Sequence, residues 1–341
     1  MKKLQYLLFI CVITILACKK DNPIPAGKYD NGLVILNEGT FGTGSGTVSF
    51  WDRDTMTTVT DIYANENNGA KLGNVLQSMT QVGDELFFVV NNSNKIVITD
   101  KSFKYKSQID GFELPRYMIT NNGKAYVSQW GNDGISGSLA IVDLNSKTIL
   151  KTIPLGKGPE NMFLDGNTLF VSMAGGYDKD NRIFKVNLND ESVTSFVLAD
   201  NPSTMIKIDN SYWVLCKGYF NFANPPASTN GKLLKLDGEN IVKTVDLSSQ
   251  AESLILSNDK LFLYLLVGNQ PNKYKISSNV LTPSIISNIY KMGYDAISNK
   301  ILLGDALDYN SNGKVYFMDD EFKLTDTISV GIVPTAFYQI Q

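Results

Sequence analysis

From Leu33 to the C-terminus the chain returns every forty-odd residues to the same order of four short apolar runs, and no helical period interrupts it. That order is the strongest constraint on the fold. One unit is clearest over residues 159–199. Run 161–164 leads through the turn Asp165-Gly166-Asn167 into run 169–173, and a long loop then precedes runs 182–187 and 193–198. The order restarts at Pro115 and Pro202, so the three leading prolines are spaced 44 and 43 residues apart. Weaker copies begin near Leu76, Ala251 and Gly293, and keep their second run as 86–90, 261–265 and 301–303. These second runs are apolar at every position, whereas a strand with one wet face would alternate. A blade stacked between two neighbours has no wet face on its middle strands.

The two ends of the chain complement each other. Residues 33–64 supply a second run (33–36), a third (47–52) and a fourth (56–63), but no first. Residues 334–340 read as a first run with nothing after it. Joining them makes one composite blade and leaves no free sheet edge. The sequence therefore predicts an all-β, seven-bladed β-propeller with four-stranded blades over residues 33–341, its first blade closed by the C-terminal strand. An open β-solenoid would have no use for complementary half-blades.

Ahead of the repeat, Lys2 and Lys3 precede an apolar run over residues 4–17, which is too short to span a bilayer and has the order of an export signal. The run ends Ile15-Leu16-Ala17-Cys18, similar to a bacterial lipobox, with cleavage expected before Cys18 and acylation of that residue. Residues 1–17 are then a lipoprotein signal peptide. Residues 18–32, with Pro23, Pro25 and Gly27, form a lipidated tether holding the protein to a membrane. Cys11 leaves with the leader and Cys18 carries lipid, so Cys216 stands alone between apolar neighbours as a core thiol.

Composition narrows the chemistry. There is no histidine, which removes imidazole bases, Ser-His-Asp triads and His-ligated metals. The net charge of −3, or −5 without Lys2 and Lys3, argues against a nucleic-acid partner. No P-loop, G-x-S-x-G, H-E-x-x-H or C-x-x-C occurs. The run Asp308-Tyr309-Asn310-Ser311-Asn312-Gly313 matches the opening of a calcium loop, but an expected strand separates it from Asp319. It reads as a turn, and no metal or cofactor is expected.

Propeller topology places two candidate site features. The loops between second and third strands share one face, and they carry Phe41, Trp130, Tyr177, Tyr219, Phe220, Phe222 and Tyr309, where folding asks only for polar turn residues. These rings either form a binding surface or seal the blade tops. The starts of the first strands converge on the central channel, with Gln77-Ser78, Arg116-Tyr117, Glu160-Asn161, Ser203-Thr204, Glu252-Ser253, Tyr294-Asp295 and Thr335 at its mouth. Two readings of this ring stand together: ligand contact, or a polar plug whose charges pair with one another.

Several segments carry a resemblance: Leu36-Asn37-Glu38-Gly39, Leu72-Gly73, Gln77-Ser78-Met79, Val90-Asn91-Asn92-Ser93, Pro115-Arg116-Tyr117, Lys124-Ala125-Tyr126-Val127-Ser128 and Gly175-Gly176-Tyr177. In these the chain resembles the YncE-like, YVTN-type propeller lipoproteins of Bacteroidetes-type bacteria over nearly all of its mature length. The resemblance implies capture of a corrinoid such as cobalamin and delivery to a TonB-dependent outer-membrane transporter, without catalysis. It also implies an outer-membrane lipoprotein, on the cell surface or the periplasmic face. Lys19-Lys20-Asp21 lacks the acidic residues that often follow the cysteine in surface-exported members. Two other functions fit the same face: a protein-interaction scaffold, and an enzyme using Glu160, Glu252 or Asp295 as acid and base.

Overall fold

Each repeat folds into one four-stranded antiparallel sheet, and among the described residues there are seven such sheets. The structure, a computed structural model, describes residues 27–44 and 46–340. The leader, Cys18 and most of the expected tether lie outside the described residues. The innermost strands are Pro334–Tyr338, Leu76–Val82, Pro115–Asn121, Pro159–Asp165, Pro202–Ile208, Ala251–Leu256 and Lys291–Asp295, heading blades 1 to 7. Blade 1 is the composite one. Gly32–Asn37 pairs with the C-terminal strand through Val34 with Tyr338, Ile35 with Phe337 and Leu36 with Ala336. The architecture is a seven-bladed β-propeller.

The second strand of blade 2, Glu85–Val90, shows why these runs are apolar on both faces. Leu86, Phe88 and Val90 pack against Val34, Leu36, Val48 and Phe50 of blade 1. Phe87 and Val89 point the other way, into a cluster with Met118, Ala125 and Val127 of blade 3. The two-residue period of the strand thus alternates between neighbours, not between core and water. Truncating Phe87 or Phe88 to Ala costs about 3–5 kcal/mol. The turns joining first and second strands are short. Asn122 and Gly123 both have positive φ, 49° and 76°, as a two-residue hairpin turn requires.

Three local expectations change. The fourth run of blade 1 is a strand only over Thr57–Val59, because Asp61 adopts φ 50° and caps the helix Ile62–Glu66 by accepting from Ala64 N. Ile62 and Tyr63 then enter the core between blades 1 and 2. The end of the tether is packed as well. Tyr29 is 4% exposed, lies edge-on between Phe50 and Phe103 at 5.1 Å from each, and donates to Glu66 at 2.7 Å. The second strand of blade 6 is Phe262–Val267, one residue later than expected at its start. Cys216 is fully buried, and burial pushes its thiol up to about 12, as a core thiol requires.

Candidate functional site

The channel mouth is built by a repeated irregularity. In blades 1 to 6 the first strand slips register near its start, so an extra residue bulges from the ladder. In blade 3, Pro115 pairs with Gln129 and Met118 with Val127, leaving Arg116 and Tyr117 opposite Ser128 alone. In blade 4, Glu160 and Asn161 stand in the same relation to Ser172. A bulge re-aims the side chains it carries, and here it turns them into the channel. A leading proline, which cannot donate to the ladder, suits that position.

Blade 7 breaks the pattern and corrects one expectation. Its first strand runs in regular register from Lys291 opposite Gly304 to Asp295 opposite Lys300. Asp295 is therefore at the far end of the strand from the mouth. It is fully buried, bound by Arg53 through two bonds of 2.6 and 2.7 Å, and also accepts from Gln339. Burial opposes its ionisation, and Arg53 and Ser298 override that, holding the carboxyl below the usual range. Tyr294, its neighbour, stacks on Tyr264 instead. Lys291 takes the mouth position.

Three ion-paired or hydrogen-bonded groups ring the mouth. Arg116 donates to Glu160 from Nε and Nη2 at 2.9 and 2.8 Å, a bidentate pair with both side chains largely buried. Glu252 is shared by Lys217 and Lys291, the latter at 3.0 Å. Burial works against its charge, but the two ammonium groups prevail and bring its carboxyl down to about 2. Glu38 accepts from Tyr290 at 3.0 Å and from Thr335 at 2.8 Å. Tyr117 lies among these groups, and burial, then Glu160, push its phenol up. Tyr117, Asn161, Ser203, Thr204 and Thr335 line a cavity of about 250 Å³ at this level.

The loop aromatics divide. Trp130, Tyr177, Tyr219, Phe220 and Phe222 line one cleft of about 730 Å³ across blades 3 to 6, with Arg116, Lys217 and Glu252 in its wall. Trp130 is held from three sides. Its Nε1 donates to Glu160 at 2.9 Å, Arg116 lies 4.2 Å over its ring, and Tyr177 meets it edge-on at 5.8 Å. Tyr177 lies over Gly134, where a Cβ would come within 2.0 Å of the ring. Phe220 and Phe222 pack edge-to-face at 4.8 Å on an arch pinned by the Tyr219–Thr229 bridge, and Phe222 is 89% exposed. Phe41 and Tyr309 are not part of this cleft. Phe41 is 76% exposed on the blade 1 loop, and Tyr309 meets Tyr290 edge-on at 5.7 Å. Asp308 closes its own loop, accepting from Asn310 N and Ser311 N, which makes that motif a turn.

Trp130 thus ties loop face and channel mouth into one site. Sequence reading missed Lys217, Lys291, Glu38 and Tyr290. Lys217 is the first residue after the strand Ser211–Cys216, and no spacing marks it. Lys291 follows from the strand boundary of blade 7 once the absent bulge is known.

The family model described as "Domain of unknown function (DUF5074)" matches residues 31–319. No curated protein matches the sequence. Among solved structures, a quinonprotein alcohol dehydrogenase-like protein from Bacteroides thetaiotaomicron is similar at 14% identity, covering 91% of this chain and 78% of that one, with a TM-score of 0.69. A Bacteroides fragilis protein provisionally named a 6-phosphogluconolactonase is 13% identical over 92% and 99%, with a TM-score of 0.65. Apo AztD from Citrobacter koseri is 15% identical over 90% and 96%, with a TM-score of 0.56. At these identities the likeness is one of fold.

Proposed function

Because the chain belongs to the DUF5074 family, in which the domain carries no assigned function, we propose from its own site that it is a binding protein. Its ligand is a small molecule with a broad flat face, taken up in the cleft above blades 3 to 6. The observation that carries this is the fixed posture of Trp130, held by Glu160, Arg116 and Tyr177 with its face beside a cleft of about 730 Å³. An aromatic wall immobilised before the ligand arrives loses little entropy on binding. A corrinoid is the first candidate, from the YncE-like resemblance, which is itself part of this proposal. So are lipid attachment at Cys18, residence in the outer membrane and delivery to a TonB-dependent transporter.

Acid–base catalysis at the mouth has less support. Glu160 is engaged by Arg116, and Glu252, down at about 2, is a poor base near neutrality. A protein-docking scaffold is favoured by a different observation, the 89% exposure of Phe222 at the tip of its arch. Calorimetric titration of residues 27–341 with cyanocobalamin tests the corrinoid reading. Saturable binding supports it, and no heat at any concentration removes corrinoids as the ligand.

A further inference from the structure

At the inner end of the cleft the channel mouth opens into the smaller cavity of about 250 Å³, and the two share Lys217 and Glu252. Several groups in the walls of this cavity have hydrogen-bond donors to spare. Glu252 takes one bond from Lys217 on Oε1 and one from Lys291 on Oε2. An ammonium group has three donors, so each lysine keeps donors that no other described acceptor takes. Tyr117 accepts from Gln77 at 3.4 Å and keeps its own proton to give. The Asn161 amide and the Thr204 hydroxyl line the same space without a side-chain hydrogen bond among the described residues.

The neighbouring carboxylates Glu160 and Glu38 are engaged by other partners. Glu160 is bound by Arg116 and Trp130, and Glu38 by Tyr290 and Thr335. Leu254, Ile255, Met292 and Phe337 add an apolar part to the lining. A donor-rich recess of this kind complements an oxyanion. Its volume holds a carboxylate or phosphate with a few waters, since each water takes roughly 30 Å³. A large fused ring stays outside, in the cleft.

We propose that the channel mouth is an oxyanion subsite: the cleft's ligand carries a carboxylate or phosphate that seats between Lys217 and Lys291 while its flat part lies on Trp130 and Tyr177. Glu252 occupies the lysines until the ligand's own oxyanion competes for them. This inference rests on the proposed binding cleft and adds the charge of the ligand to it.

Two dyes sharing one ring system separate the two ideas: anionic 8-anilinonaphthalene-1-sulfonate and uncharged N-phenyl-1-naphthylamine, each titrated by fluorescence. Lys217→Met with Lys291→Met should weaken the anionic dye about tenfold relative to the neutral one, as loss of charged hydrogen bonds implies. Glu252→Gln should shift the ratio the opposite way, by removing the internal competitor. Adding Glu252→Gln to the lysine pair avoids an unpaired buried carboxylate, and keeps the test readable if the double variant folds poorly. Displacement of the anionic dye by inorganic phosphate or by acetate supports the subsite and tells which oxyanion it prefers. Displacement by neither, or a dye ratio unmoved by all three variants, overturns it. If that ratio stays fixed while Trp130→Ala weakens both dyes, the subsite fails and the cleft stands. If neither dye responds to Trp130→Ala, the cleft reading falls too.

Discussion

The indole Nε1 of Trp130 donates 2.9 Å to Oε2 of Glu160, a residue of the neighbouring blade that is itself clamped by Arg116. A loop ring and a channel-mouth charge, which the repeat places on separate features, are parts of one assembly. The ring cannot turn without giving up that bond and its contact with the guanidinium.

That assembly should be strongly coupled. Glu160→Ala leaves Arg116 largely buried without its partner and is expected to cost about 3 kcal/mol in urea denaturation. Arg116→Leu combined with Glu160→Leu should recover much of the loss. Additive losses in the double variant would show that the two side chains do not act as a pair.

Replacing Trp130 and Tyr177 together with Ala should weaken ligand binding by about 2 kcal/mol or more for each ring that anchors the ligand. Asp165→Ala is the control. It removes an acceptor of Lys207 and Tyr212 on the opposite face, so the melting point should fall while affinity holds. Equal affinity losses in both variants would mean that destabilisation, not contact, was measured.

Deleting residues 334–341 removes the first strand of blade 1, together with the bond from Met79 N to Tyr338 and that from Gln339 to Asp295. The shortened chain should aggregate or unfold without a cooperative transition. An unchanged calorimetric melt would contradict closure by that strand.

Stability should be flat from about pH 8 to pH 5, because without histidine no side chain of ordinary value changes charge there. Glu252 acts at lower pH. Its value of about 2 in the folded protein lies below the unfolded value of about 4.3. Its contribution is therefore complete above pH of about 4.3 and is lost as pH falls toward about 2. Melting temperatures measured across this range should drop on the acid side, and less so in Glu252→Gln.

If the proposed lipid attachment holds, Cys18→Ser should release the protein from membranes, since it removes the cysteine that the lipobox-like run offers for acylation. Fractionation after a high-salt wash reads this out, and a variant that still sediments with membranes would end the lipoprotein reading.

The blade count was legible because a proline leads four of the seven first strands and the middles of the second strands carry apolar residues on both faces. Both are local consequences of the fold and so leave a local trace. The mouth was legible only where the bulge recurs. In blade 7 the strand starts at Lys291 without proline or bulge, and a count taken from the other blades lands on Asp295. Lys217, Glu38 and Tyr290 carry no periodic mark. Their roles arise from convergence around an axis, which distance along the chain does not encode. The short fourth strand of blade 1 was obscured by Asp61, whose positive φ starts a helix where apolar spacing alone continues a strand.

The burial of Tyr29 sets a direction. Gly32–Asn37 runs from the face of the short turns toward the loop face, so the chain enters the propeller at the pole opposite the cleft, and Tyr29 clamps it there against Phe50 and Phe103. The nine chain steps from Cys18 to Gly27 can reach at most ~32 Å. A molecule acylated at Cys18 would therefore stand with its back to the bilayer and its aromatic cleft turned outward. Cargo would arrive from, and leave toward, the side away from the anchor. A transporter in the same membrane could collect it only by reaching over the rim of the disc or by tipping the whole propeller on its leash.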